Sequence, residues 1–273
     1  MTSSLSGSDR PDRPQIDSTV AHSARVWNYW LGGKDNYEID RAVAKQIAET
    51  FPGIVEKARQ VRHFLYRAVR YLVVEAGVRQ FLDIGTGLPT ANNTHEIAQG
   101  IAPQSRIVYV DNDPLVLVHA HALLTSRTEG ATAYIEADVR DPDRILAEAA
   151  RTLDFTQPIG LVMLGILGQL PDSDDPHAIV RRLLAALPSG SYLVVDDGVT
   201  TDPAYVEAIR DYNQNPDSVS SYHPRSPEEI VRYFDGLQLI EPGVVSCSLW
   251  RPEPNPWGEP TAVAEYAGVG RKP

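Results

Sequence analysis

The chain has 273 residues, of which 42% are hydrophobic, and this length allows one large domain with a substantial core. The formal net charge of −11 argues against non-specific nucleic-acid binding, which needs a basic surface. A single cysteine, Cys247, excludes an intramolecular disulfide and a cysteine-based zinc site, and no apolar run is long enough for a membrane helix. We therefore expect a cytoplasmic protein with no nucleic-acid or membrane partner.

The first 77 residues carry no strand-like run. Residues 1–17 are polar and lack the apolar core of a secretion signal, so they are predicted to form a disordered tail. Residues 18–77 are predicted to form a helical N-terminal cap. Its clearest helix covers residues 55–76, where apolar residues fall on one face at helical spacing, and Gly77 ends it.

Residues 78–273 are predicted to form the core of the same domain, which spans residues 18–273. Strand-like runs lie near 80–84, 106–111, 132–137, 159–165 and 191–196. Helical stretches fit between and after them, near 91–101, 114–126, 141–152, 175–187 and 201–212. This alternation predicts a doubly wound, mostly parallel sheet that is covered by helices on both faces.

Two apolar runs follow the alternation, at residues 237–245 and 262–268, and a proline-rich stretch without a helix signal separates them. We expect them to form a hairpin-like pair at one edge of the sheet, with one strand antiparallel to the rest. The prediction is therefore an α/β fold with a seven-stranded, Rossmann-like sheet.

The turn after the first strand has the composition of a ligand-binding turn. Asp83 falls at the strand end, and Gly85 and Gly87 allow backbone angles and close approaches that other residues resist, with the small hydroxyl of Thr86 between them. A dinucleotide fingerprint needs glycine or alanine where Thr90 stands. The adjacent proline also lacks an N–H donor for a phosphate.

The turn therefore favours a ligand that has ribose and adenine without a diphosphate, such as S-adenosylmethionine, over NAD. A purely structural tight turn is the alternative for this segment taken alone. The acids at the next two strand ends favour a ligand-binding turn over a purely structural one. Asp111 is placed to accept hydrogen bonds from a ribose, and Asp138 is placed to accept from an adenine amino group or to cap the following helix.

These segments resemble the Rossmann-like (class I) S-adenosylmethionine-dependent methyltransferases, and more narrowly a bacterial family of candidate methyltransferases whose substrates are largely unassigned. The resemblance covers about residues 22–272 and is carried by residues 24–37, 81–90, 108–114, 134–142 and 266–272. It implies that Asp83, Gly85, Thr86 and Gly87 bind the amino-acid end of the cofactor. It also implies that Asp111 binds the ribose, that Asn112, Asp138 and Val139 lie at the adenine, and that Leu164 flanks the sulfonium.

An aromatic and charged segment precedes the core. We hypothesise that the N-terminal helices form a lid over the cleft and that this segment lines the cofactor or substrate cavity through Tyr29, Lys34, Asp35 and Tyr37. Aromatic rings near a sulfonium cation would gain from cation–π attraction. The alternative is that Trp27 and Trp30 pack on the sheet while Lys34 and Asp35 form a solvated turn.

A catalytic base is needed only when the methyl acceptor must lose a proton. The weak candidates are Asp196 and Asp197, at the end of the fifth strand, and His95. Members of the family often carry a histidine where Gly168 stands and a serine–histidine pair at positions 196 and 197. A histidine-based mechanism of the family therefore cannot be assumed for this chain. No metal is expected, because the fourth strand end lacks the further acid that a magnesium site requires.

The sequence thus predicts an S-adenosylmethionine-dependent methyltransferase that acts on a small molecule. One alternative is a non-catalytic S-adenosylmethionine-binding or regulatory protein, which the missing histidines favour. A weaker alternative is an NAD-dependent oxidoreductase, which the composition of the glycine turn disfavours.

Overall fold

The computed structural model describes residues 17–116, 118, 129–217, 220–254, 258 and 260–273. The predicted tail at 1–17 lies almost wholly outside the described residues. The α-helices are α1 (Ser23–Trp30), α2 (Glu38–Thr50), α3 (Ile54–Val74), α4 (Thr94–Ile101), α5 (Pro142–Ala149), α6 (Pro176–Ala186), α7 (Pro203–Gln214) and α8 (Pro227–Val231). The strands are β1 (Gln80–Ile84), β2 (Arg106–Asp111), β3 (Ala131–Glu136), β4 (Gly160–Leu164), β5 (Tyr192–Gly198), β6 (Gln238–Leu239), β7 (Val245–Ser246) and β8 (Glu265–Arg271).

The strands form one sheet in the order β3-β2-β1-β4-β5-β8-β6, and β7 also pairs with β8. The first five strands of that order are mutually parallel, whereas β8 runs antiparallel to β5. The strand order reverses between β1 and β4. In open α/β sheets such a switch point opens a crevice outside the carboxyl ends of the strands, where ligands bind.

The α/β fold with a mostly parallel sheet is confirmed. The strands of the described residues number eight rather than seven, because the predicted run at 237–245 is divided into β6 and β7. A turn in which the Gly243 N–H donates to the Ile240 carbonyl over 2.9 Å interrupts that run. The helix predicted near 114–126 lies mostly outside the described residues.

Period-two alternation in β1 distributes its side chains between two cores. Phe81 packs in the cluster that contains Phe64 and Leu72 of α3, whereas Leu82 belongs to the cluster on the opposite face. All four side chains are fully buried. Since both faces are covered, β1 is apolar at Phe81, Leu82 and Ile84, with side chains on both faces, as expected for a parallel strand inside an α/β sheet. In the described part of the chain, no helix combines the length and apolar character needed to cross a membrane.

A fully buried ion pair joins α3 to the last strand. The Lys57 Nζ lies 2.5 Å from the Glu265 Oε2 and donates to the Tyr205 hydroxyl over 3.1 Å. Burial is the largest effect on the pKa of Lys57 and lowers it, but the charges and hydrogen bonds of Glu265 and Tyr205 together raise it more. The net pKa therefore lies above the ordinary value, and the ammonium stays charged. The pair therefore connects the helical region before β1 to the antiparallel edge of the sheet.

We expect Lys57→Met to lower the free energy of unfolding by about 3–5 kcal/mol, because it leaves the buried Glu265 carboxylate without its cation. The measurement is denaturant unfolding, with the exposed Lys45→Met as the matched control. The double variant Lys57→Met/Glu265→Leu should recover part of the loss, since it removes both charges. A double variant that is less stable than the single variant would contradict this account.

Candidate functional site

A cleft of about 480 Å³ lies at the carboxyl ends of β1, β2 and β4. One face of α1 covers it. All nine residues predicted to bind the cofactor line this cleft: Asp83, Gly85, Thr86, Gly87, Asp111, Asn112, Asp138, Val139 and Leu164. The structure therefore brings the predicted set together in one place, and the binding role of each residue stays a prediction.

The glycine turn forms the floor of the cleft. Gly85 and Gly87 have φ angles of +76° and +63°, a region that side-chain-bearing residues rarely adopt. A Cβ on Gly85 would also lie 2.7 Å from the Ile166 Cβ, so this position needs glycine for space as well as for conformation. The Gly87 N–H donates to the Asp111 Oδ2 over 2.8 Å, which fixes the turn against the end of β2.

The acids at the three strand ends differ in their surroundings. Asp111 accepts two backbone N–H groups, and burial raises its pKa. Asp138 is less buried, and Arg140 lies against it with an Nη1–Oδ2 distance of 3.0 Å. The N-cap of the following helix is Asp141, whose side chain accepts from the Arg144 N–H. Asp138 is thus not the cap of α5, and its carboxylate faces the cleft edge.

Asp83 is buried beneath the turn. Its Oδ2 accepts a hydrogen bond from the Thr94 hydroxyl over 2.6 Å. Burial raises the pKa of Asp83 to about 6, although the hydrogen bond from Thr94 and the charge of Arg62 oppose that rise. Protonation of Asp83 near pH 6 therefore changes the charge of this end of the cleft.

Arg62 of α3 lines the same cleft, and the sequence analysis missed it. Its Nη2 donates to the carbonyls of Ala91 and Asn92 over 3.2 and 2.8 Å. Its Nε is buried and has no hydrogen-bond partner among the described residues. A guanidinium remains protonated in proteins, so Arg62 brings a positive charge and an unused N–H donor to the lining of a cleft that also contains Asp83. Helical spacing placed Arg62 on the polar face of α3 but did not distinguish it from the other arginines there.

The predicted lid residues do not line the cleft. Tyr29, Lys34, Asp35 and Tyr37 are not among its lining residues, whereas α1 and the residues that flank it contribute His22, Ala24, Trp27, Asn28 and Leu31. The 33–36 segment instead packs around Asn28, whose Oδ1 accepts from the Asp35 N–H over 3.1 Å and from the Asn36 amide over 2.8 Å. A Cβ on Gly33 would overlap the Asn28 side chain. The 33–36 segment is therefore connected to the cleft by its hydrogen bonds to Asn28, which lines the cleft.

The candidate catalytic residues lie in the interior, away from the cleft lining. Asp196 and Asp197 are fully buried. Burial and the neighbouring Glu265 raise the pKa of Asp196 well above its ordinary value and that of Asp197 to about 7. His95 is also buried; its Nδ1 lies 2.8 Å from the Tyr109 hydroxyl, and burial lowers its pKa. Direct roles for these residues in a reaction stay predictions.

Two segments close the other end of the cleft. The loop after β4 contributes Gln169 to Pro171, and Ser220 and Ser221 face it. Buried Arg225 fixes this loop, because its guanidinium donates to the carbonyls of Leu167 and Leu170 over 2.9 and 2.8 Å. This end of the cleft is held by hydrogen bonds from side chains far along the chain, which no local sequence pattern indicates.

Gly168 belongs to this loop. A Cβ there would collide with the ring of Tyr222 and with Asp197, so no side chain fits at this position. The Tyr222 hydroxyl donates to the Asp197 Oδ1, and the Arg225 Nη1 lies 3.5 Å from the Asp197 Oδ2. Asp197 thus helps to fix the loop through its contacts with Tyr222 and Arg225.

Among the described residues, no group of three or more His, Cys, Asp or Glu side chains is arranged to bind a metal ion.

Residues 9–273 match the family described as S-adenosyl methyltransferase. The chain belongs to this family. It is 44% identical to a DUF574 family protein from Streptomyces avermitilis, covering 95% of this chain and 100% of that one with a TM-score of 0.90. It is 42% identical to a protein from Thermobifida fusca named as a candidate methyltransferase, covering 95% and 97% of the two chains with a TM-score of 0.86.

A third solved structure, a SAM-dependent methyltransferase from Anabaena variabilis, is 12% identical over 94% of this chain and 98% of that one, with a TM-score of 0.51, and shares the fold alone. No curated protein matches the chain in sequence. Family membership makes S-adenosylmethionine the cofactor. The cleft suits it, because the unused Nε of Arg62 and the Asp83 carboxylate offer opposite charges for the carboxylate and ammonium of an amino acid.

We expect Arg62→Ala to weaken the binding of S-adenosylhomocysteine by roughly tenfold to a hundredfold, the effect of losing a hydrogen bond between charged groups. Binding of 5′-methylthioadenosine, which lacks the amino-acid end, should not change. Calorimetric titration of both ligands measures the difference, and the exposed Arg59→Ala on the same helix is the control. Equal weakening of both ligands would mean that Arg62 acts only by holding the loop at residues 91–92.

Proposed function

We propose that this S-adenosylmethionine-dependent methyltransferase acts on a small molecule that enters the cleft beyond Leu164. The observation that carries the proposal is the single cleft in which all nine predicted cofactor residues meet at the sheet's switch point. The rest of its lining includes residues of α1, α3, the loop after β4 and residues 220–221. The cleft measures about 480 Å³ and the cofactor takes part of it, so the remaining space suits a small acceptor.

The proposed orientation follows from charge and from the strand ends. Asp83, Arg62 and the glycine turn hold the amino-acid end, and Asp111 accepts hydrogen bonds from the ribose hydroxyls. Asn112, Asp138 and Val139 lie at the adenine, whereas Leu164 flanks the sulfonium. The cofactor supplies a methyl group that is already activated by a positive sulfur. The protein therefore has to align the acceptor and exclude water.

The helical cap contributes to this task. Trp27 and Leu31 of α1 place apolar side chains over the cleft, and the 33–36 segment fixes Asn28 between them. We propose that residues 18–77 act as the lid of the core at 78–273, and that Lys34 and Asp35 support it through Asn28. No observation on the described residues favours a regulatory S-adenosylmethionine-binding protein or an NAD-dependent oxidoreductase. A cytoplasmic location stays a prediction.

Incubation with methyl-labelled S-adenosylmethionine tests the function directly. The protein is mixed separately with the small-molecule and the macromolecular fractions of an extract from its source organism. We expect label to enter the small-molecule fraction and S-adenosylhomocysteine to form in the same amount. An Asp111→Ala variant, which loses the ribose partner, serves as the inactive control. Label found only in protein or nucleic acid contradicts the proposal, and cofactor binding without transfer to either fraction supports the regulatory alternative.

Cofactor affinity should depend on pH through Asp83. Its pKa of about 6 in the free protein lies above the ordinary value, so lowering the pH through 6 protonates the carboxylate that the ligand's ammonium needs. We expect S-adenosylhomocysteine affinity to be constant above this pH and to fall by up to roughly tenfold per pH unit below it. Calorimetry from about pH 5 to about pH 8 measures the profile. In Asp83→Asn the affinity should depend less on pH. An unchanged pH dependence in that variant would show that another group is responsible for it.

A further inference from the structure

A serine–histidine pair stands at the acceptor end of the cleft. Ser221 lines the cleft, and its Oγ lies 2.8 Å from the Nε2 of His223. His223 lines a separate open groove of about 380 Å³, beside Asn213 and Pro224. The segment 221–223 thus separates the cleft from the groove. The two side chains form a hydrogen-bonded connection between these spaces.

The backbone of this segment is held from both sides. The His223 N–H donates to the Gly168 carbonyl over 2.7 Å, which ties the segment to the loop after β4. The Asn213 side chain exchanges two hydrogen bonds with the backbone of Tyr222, at 2.7 and 2.8 Å. The Tyr222 hydroxyl in turn donates to buried Asp197. Ser221 and His223 therefore project from a fixed strip of chain and do not need to be ordered by a ligand.

The rest of the acceptor end favours an uncharged hydrogen-bond donor. Gln169 lines the cleft and also a smaller neighbouring cavity, and its Oε1 is buried without a hydrogen-bond partner among the described residues. Such an acceptor atom is costly unless a ligand donates to it. The arginines of the cleft lining are Arg62, which donates to the carbonyls of Ala91 and Asn92, and Arg140, which is paired with Asp138 and Asp174. Both arginines thus already have partners in the protein, whereas the Ser221 Oγ and the Gln169 Oε1 are neutral oxygens that accept from a hydroxyl group.

We propose that the methyl acceptor carries a hydroxyl group and that Ser221 and His223 relay its proton out of the cleft. This inference rests on the proposed function. The acceptor's O–H proton passes to the Ser221 Oγ while the serine's own proton passes to the His223 Nε2. The electron pair of the broken O–H bond stays on the acceptor oxygen, which thereby becomes the nucleophile. The imidazolium of His223 then releases the proton to water in the groove. Ser221 is the catalytic residue, and His223 acts through it.

The test uses phenol and anisole, which differ by the hydroxyl proton alone in their donor capacity. Each is titrated into protein that carries ¹⁵N-labelled histidine and is saturated with S-adenosylhomocysteine. We expect phenol to shift the Nε2 resonance of His223 and anisole to leave it in place. Absence of S-adenosylhomocysteine binding would refute the proposed function. Normal S-adenosylhomocysteine binding with equal effects of phenol and anisole, or with no effect of either, would refute the relay alone.

Variants separate a relay from a structural contact. Ser221→Ala should abolish the phenol-dependent shift at His223, and Ser221→Thr, which keeps the hydroxyl, should restore it. Exposed Ser189→Ala is the control and should behave like the parent protein.

In the labelled transfer assay, Ser221→Ala and His223→Asn should each slow methylation by roughly a hundredfold, the usual effect of losing a general base. Their affinity for S-adenosylhomocysteine should stay unchanged; a loss of affinity that matches the loss of rate would overturn the assignment.

Discussion

The hydrogen bond from the Gly87 N–H to the Asp111 carboxylate is the contact on which the cleft depends. It joins the turn after β1 to the end of β2, so that two neighbouring parallel strands present their carboxyl ends as one surface. The turn can make this contact because Gly85 and Gly87 adopt left-handed conformations, and because no side chain at Gly85 meets Ile166. The main chain itself forms the floor of the cleft, which is therefore shaped before a ligand arrives.

Two buried charged residues, Arg225 and Asp197, support the loop after β4 at the acceptor end of the cleft. Arg225 satisfies two loop carbonyls and lies beside Asp197, which also accepts from Tyr222. Asp197 thus stabilises the loop after β4 through Tyr222 and Arg225. Buried ionic networks of this kind contribute little net stability, but breaking them is costly, so they fix one arrangement of the backbone. The positions of Gln169 and Ser221 follow from that arrangement.

The strands and the glycine turn could be predicted from the sequence because their signals are local. Asp83 and Asp111 each end an apolar run, and parallel strands bring such ends together whatever the loops between them do. Arg62 and Ser221 carry no comparable signal, because each becomes part of the cleft only through contacts with distant segments. Lys34 and Asp35 stay predicted lid residues; the Asp35 N–H donates to Asn28, and Asn28 itself lines the cleft.

The two ends of the cleft differ in how they can select a ligand. Arg62 and Asp83 bring opposite charges to the cleft lining, and in the proposed orientation they bind the charged amino-acid part of the cofactor. The other end offers Gln169 and Ser221, which are neutral and discriminate by hydrogen bonding. A neutral end does not compete for the cofactor's charged groups, so the methyl group would point toward it. In the proposed orientation, Arg62 and Asp83 hold the amino-acid part of the cofactor, and its methyl group faces Gln169 and Ser221.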